Sequence, residues 1–89
     1  MLTRTVTICN KLGIHARPAA LLTKTASLFE CSCTITKGDK TIDAKSILSV
    51  MTIAAKCGDE ITIVTDGINE AAALDSLVAL IQSRFGEDE

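Results

Sequence analysis

Apolar residues in this chain switch spacing between two and three-to-four, and that switching restricts the fold more than any other feature. From residue 2 to residue 8, Leu2, Val6 and Ile8 share one face with Arg4, and Thr3, Thr5 and Thr7 share the other. That is the pattern of a half-exposed strand. Residues 16–29 change to helical spacing, with Leu21, Leu22, Thr25, Leu28 and Phe29 forming a core-facing stripe. Residues 31–36 and 40–43 return to strand character around Lys37-Gly38-Asp39-Lys40, whose Gly-Asp centre predicts a tight hairpin. Ser46, a favoured helix cap, precedes the apolar run Ile47, Leu48, Val50, Met51 and Ile53, so a short helix is expected from about Ile47. Cys57-Gly58-Asp59 marks a turn, residues 60–65 alternate again, and Asp66-Gly67 ends that strand. Asn69 as cap and Glu70 in the first turn open a last helix. Leu74, Leu77, Val78, Ile81 and Phe85 line it, and Gly86 is expected to stop it. The acidic tail Glu87-Asp88-Glu89 is expected to be loose.

The resulting order is β-α-β-β-α-β-α. Alternating strands bury one sheet face and wet the other, which predicts an α+β fold: a four-stranded antiparallel sheet with helices on one side. Eighty-nine residues, 47% of them apolar, suffice for the core of one small domain, 1–89. A net charge of −2, with two Phe and no Trp or Tyr, argues against a nucleic-acid partner. No apolar run approaches the roughly 20 residues of a membrane span, so no membrane insertion is expected. The segment Met1-Leu2-Thr3-Arg4-Thr5 lacks the apolar core of a signal peptide, so a cytoplasmic protein is expected. Cys9, Cys31, Cys33 and Cys57 contain no C-x-x-C pair and no nearby histidine, so reduced and mostly buried thiols are expected, with no metal.

The stretch Asn10-Lys11-Leu12-Gly13-Ile14-His15-Ala16-Arg17-Pro18-Ala19-Ala20 stands between the first strand and the first helix. It contains the chain's one histidine and one proline. Proline fits the first turn of a helix, where its missing N–H removes no internal bond. His15 therefore falls at or just before a helix N-terminus, where free backbone donors and the dipole favour an anion. The position also favours the neutral, nucleophilic imidazole. Arg17 adds a permanent charge with donors suited to phosphate. The restriction on a residue before proline suggests a helix starting at Pro18 with Arg17 as cap. No carboxylate neighbours His15 in sequence, so a His–carboxylate pair has no support at this level.

Gly13-Ile14-His15-Ala16-Arg17-Pro18-Ala19 resembles the active-site signature of the HPr family, the histidine phosphocarriers of the bacterial phosphoenolpyruvate-dependent phosphotransferase system. Ala44-Lys45-Ser46-Ile47-Leu48-Ser49-Val50-Met51 resembles that family's regulatory-serine segment, and the likeness spans essentially the whole chain. The resemblance implies an open-faced β-sandwich with three helices on one face of the sheet, and a first helix starting at Ala16. It implies a phosphoryl group accepted on His15, at Nδ1, from phosphorylated Enzyme I and passed to a IIA-type protein. Ala16, Arg17 and the Arg17 guanidinium would hold the phosphate. It implies that HPr kinase/phosphorylase acts on Ser46, and that Ala16, Ala20, Ile47, Leu48 and Met51 form a docking patch, with Lys24 and Lys45 adding charge. No cofactor and no turnover by the chain alone are implied. Thr52-Ile53-Ala54-Ala55 lacks the glycine often found near here in sugar-type members, and the ending Arg84-Phe85-Gly86-Glu87-Asp88-Glu89 looks more like the nitrogen-related branch, which serves regulatory cascades rather than sugar uptake.

Two other readings share these residues. In one, the chain is a non-catalytic α/β ligand- or protein-binding module and His15 merely caps a helix. In the other, the cysteines make a metal or redox module. Apolar residues at 47, 48 and 51 also suit plain core, with at least one of Ile47 and Met51 turned inward.

Overall fold

The computed structural model describes residues 1–88. The elements in order are β1 (Leu2–Thr7), α1 (Ala16–Ser27), β2 (Ser32–Lys37), β3 (Lys40–Asp43), α2 (Ile47–Thr52), β4 (Glu60–Asp66) and α3 (Glu70–Gln82). A 3-10 turn, Arg84–Gly86, follows α3. All strand pairs are antiparallel in the order β1-β4-β2-β3. The fold is an α+β open-faced sandwich, with the sheet covered by helices on one side.

Strand alternation decides which side is covered. Val6, Cys33, Ile35, Ile61 and Ile63 point into the core and are almost fully buried. The opposite face carries threonines: Thr5 and Thr62 hydroxyls meet at 3.0 Å, and Thr36 and Thr41 at 2.8 Å. β-branched residues with a hydroxyl suit a wet sheet face, because they favour extended backbone while satisfying their polar atoms. The β2–β3 hairpin pairs Lys37 with Lys40, leaving Gly38 and Asp39 as its two-residue turn. Gly38 takes φ +63°, which a tight turn of this kind requires.

Helix α3 packs Ala73, Leu74, Leu77, Val78 and Ile81 against the sheet, as its spacing predicts. It ends at Gln82, before the expected stop at Gly86, because Phe85 turns into the core through left-handed backbone at Arg84 and Phe85. Asn69 stands at the N-cap as expected, but in left-handed backbone with no side-chain cap bond. The buried stripe of α1 is Pro18, Ala19, Leu22 and Ala26, with Leu21, Thr25 and Phe29 partly buried. Leu28, expected in the core, lies just past the last helical residue and is 74% exposed. The alanines on the buried side, Ala19 and Ala26, are wholly enclosed. Cys31 and Cys33 are buried, whereas Cys9 and Cys57 are exposed, against the expectation of mostly buried thiols. Both exposed cysteines fall in loops that flank strands, where no alternation directs side chains inward. Burial and the neighbouring Cys31 push the Cys33 thiol up to about 11. Among the described residues no helix is long and apolar enough to cross a membrane, and no three His, Cys, Asp or Glu side chains group to hold a metal.

Candidate functional site

The loop from β1 to α1 is shaped by a chain of backbone bonds. The Gly13 N–H donates to Asn10 O at 3.1 Å, Ile14 N–H to Ala55 O at 2.9 Å, and His15 N–H to Gly13 O at 3.2 Å. Gly13 has φ +68°, and a Cβ there would lie 2.5 Å from Ala55 O and 2.8 Å from Lys56 Cα. Only glycine tolerates both the angle and that approach. Asn10, wholly buried, donates its amide to Gly13 O at 2.7 Å and braces the loop from inside.

His15 is the N-cap of α1, with extended backbone at φ −94° and ψ −168°. Its carbonyl accepts the first helical bond, from Ala19 N–H at 3.0 Å. The helix therefore starts at Ala16, and the start at Pro18 suggested by the proline rule is overturned. Pro18 takes the third helical position, where no N–H is needed, and it is buried with Ala19. Burying both residues offsets the helical angles imposed on Arg17. The N–H groups of Ala16 and Arg17 belong to the first turn and have no acceptor within the helix. Both residues are exposed, and the His15 ring is partly so.

The ring is met by a residue that sequence reasoning missed. Glu87 Oε2 lies 2.8 Å from His15 Nε2, across a separation of 72 residues. Glu87 Oε1 accepts from Asn10 Nδ2 at 2.9 Å. The tail is therefore anchored at Glu87, not loose, and His15 does have a carboxylate partner. Asp88 is also tied, its carbonyl accepting from Arg84 Nη1 at 3.2 Å, while Glu89 lies outside the described residues. The Asn10 amide, and after it the His15 ring, hold the Glu87 carboxyl below the usual carboxylate range, against the effect of burial. No local spacing pairs positions 15 and 87; an acidic residue after the Phe85 turn was the one available signal. A cleft of about 430 Å³ adjoins the site, lined by Lys11, Leu12, Arg17, Gly86, Glu87 and Asp88.

Ser46 caps α2, its hydroxyl accepting from Ser49 N–H at 3.4 Å. Val50 and Ile53 bury the inner side of this segment. Leu48 is 74% exposed, and Ile47 and Met51 are about 40% exposed, so neither member of that pair turns fully inward. Ala16 and Ala20 are exposed on α1, which packs against α2. The apolar side chains of α2 and the exposed alanines of α1 thus lie on neighbouring helices. Lys24 is exposed. Lys45 is half-buried, and its ammonium donates to Phe29 O at 2.7 Å.

Comparison with known proteins places this geometry. The family described as "PTS HPr component phosphorylation site" matches residues 2–83. The phosphocarrier protein HPr of Cupriavidus necator is 48% identical over 89 residues, covering all of both chains. The phosphocarrier protein NPr of Shewanella violacea is 43% identical over 86 residues, covering 97% of this chain and 94% of that one. The crystal structure of HPr-C-His from Thermoanaerobacter tengcongensis superposes with a TM-score of 0.96 at 40% identity, with complete coverage of both chains. The chain belongs to the HPr family, and is a phosphocarrier of the phosphotransferase system rather than an enzyme.

Proposed function

We propose that His15 is the residue that bears the phosphoryl group, that Arg17 assists the transfer, and that the N–H groups of Ala16 and Arg17 hold the phosphate. The observation that carries this reading is the position of His15 at the N-cap of α1, with its ring partly exposed beside a first turn that keeps open donors. With Nε2 engaged by Glu87, Nδ1 is the atom available for attack. Transfer then needs alignment and charge stabilisation more than further chemistry. The donor is phosphorylated Enzyme I and the acceptor a IIA-type protein, met in the cytoplasm by residues 1–89 acting as one domain. Which IIA-type acceptor is met decides whether the output is sugar uptake or a regulatory phosphorelay.

Docking uses Leu48, Ile47 and Met51 with Ala16 and Ala20. An exposed apolar patch beside the reacting residue suits contact with protein partners. Ser46 is the site for HPr kinase/phosphorylase. A phosphate there adds roughly −1.5 to −2 charges at a helix N-terminus, so the fold is kept while a charge is set against the apolar patch. The deciding experiment is incubation with Enzyme I and phosphoenolpyruvate. The chain is expected to acquire acid-labile, base-stable phosphate, and His15→Ala to acquire none. A His15→Ala protein that still accepts phosphate would remove the assignment.

A further inference from the structure

We propose that Glu87 is a positioning residue for phosphoryl transfer: its carboxylate keeps a proton on His15 Nε2 through both half-reactions, so that the ring departs as neutral imidazole. This rests on the reading of His15 as the phosphorylated residue.

Three features of the structure lead to it. First, an ionised carboxylate only accepts hydrogen bonds, so a ring nitrogen 2.8 Å from Glu87 Oε2 must be the donor. Second, Glu87 is held from behind. Its other oxygen takes the amide of the wholly buried Asn10, whose second donation, to Gly13 O, ties it to the loop bearing His15. Third, the chain bends to deliver it. Arg84 and Phe85 adopt φ +58° and +54°, uncommon for residues with a side chain, and Phe85 is buried beneath the bend. The charged groups that line the cleft beside Glu87 are Asp88 on the tail, Arg17 on α1 and Lys11 in the preceding loop.

In the first half-reaction the Nδ1 lone pair forms the N–P bond. The bond from phosphorus to the donor breaks, and its electron pair leaves with the donor. The ring is now cationic, with its Nε2–H still against Glu87. In the second half-reaction an acceptor nucleophile bonds to phosphorus, and the N–P pair returns to Nδ1. Because Nε2 kept its proton, the leaving group is neutral imidazole. Had that proton gone to water between the steps, the ring would have to leave as imidazolate, a far more basic anion and a poorer leaving group.

Glu87→Gln preserves the shape and the acceptor oxygen without the charge, and Glu87→Ala removes both. Nitrogen NMR of the unphosphorylated protein, at a pH where the ring is neutral, is expected to show His15 almost entirely as the Nε2–H tautomer. Both variants should raise the Nδ1–H population severalfold. In the phosphorylated proteins, loss of the Nε2 proton should move to lower pH in both variants. Above that midpoint, transfer to a IIA-type acceptor should slow by on the order of tenfold for each pH step by which the midpoint has fallen. At lower pH, where every ring keeps the proton, the rates should converge. Equal tautomer populations and superimposable pH–rate profiles in all three proteins would overturn the proposal. Absence of phosphate from His15 in the unmodified chain would instead overturn the carrier assignment, and the tautomer populations would still decide whether Glu87 holds the proton.

Discussion

His15 and Arg17 are two residues apart, and Arg17 lines the same cleft as Glu87, the partner of the His15 ring. His15 caps the helix whose first turn carries Arg17, and the first-turn amides have no acceptor within that helix. Glu87 Oε2 lies 2.8 Å from Nε2 of the ring. Arginine contributes charge that matters most as oxygens of the moving group gain density, so its loss should appear in rate rather than in folding. Arg17→Ala is expected to slow phosphorylation by Enzyme I by on the order of tenfold to a hundredfold, while Arg17→Lys recovers only part of it. Arg17 is exposed, so the thermal midpoint of either variant should match the parent. Rapid-quench labelling beside a thermal melt checks both statements. The proposal for His15 and Arg17 came from the motif around them, chiefly through its resemblance to a family signature. Glu87 was not legible, because hydrogen bonding across 72 residues leaves no periodic trace.

Among the elements, the loop from β1 to α1 depends on a neighbour that sequence order does not suggest. Gly13 lies against the backbone of Ala55 and Lys56, and Ile14 donates to Ala55 O. Those residues follow α2, the helix that Ser46 caps, so the segment bearing His15 rests on the segment leaving α2. Adding a methyl at Gly13 pushes against backbone on both counts, angle and space. Gly13→Ala is expected to cost roughly 1–3 kcal/mol in urea unfolding and to slow phosphorylation as well, because the N-cap would shift with the loop. Secondary structure was otherwise legible wherever a segment had one exposed and one buried face. Strands and α3 fell within a few residues of their expected places. The errors gathered at ends: Pro18 against Ala16, Gly86 against Gln82, and Leu28 outside the core. At an end, side-chain spacing weakens and the outcome depends on what the next segment packs against.

Across the whole molecule, carboxylates fasten segments that the hydrophobic core leaves loose. Asp59 accepts from Lys56 N–H at 2.9 Å and pairs with Lys37 at 3.0 Å, linking the hairpin to the turn before β4. Glu70 accepts from Gly67 N–H and pairs with the Met1 amine. Glu87 fastens the tail. All three are held below the ordinary carboxylate range, Asp59 chiefly by the Lys56 N–H, Glu70 by the Met1 amine, and Glu87 by the Asn10 amide. A carboxyl depressed in the folded state stabilises it above the unfolded value, and that contribution is lost as pH falls through the folded value. The chain should therefore lose stability progressively below roughly pH 4. Asp59→Asn should flatten part of that acid limb and lower stability at neutral pH. Urea midpoints measured across pH for parent and variant test this. An acid limb equally steep in Asp59→Asn would show that the lost protonation site lies elsewhere.

The amino-acid order alone determined the succession of strands and helices, the buried side of the sheet, the hairpin at Gly38-Asp39 and the cap at Ser46. Each of these follows from residues within a turn or two of one another, through propensity and periodic burial. Only the tertiary structure decided between Ala16 and Pro18 as the start of α1, left Cys9 and Cys57 exposed, and brought Glu87 back to His15. Those outcomes depend on which distant groups become neighbours once the core closes. Phe85 seeks burial beneath a left-handed bend, and in burying itself it carries the following carboxylate onto the imidazole.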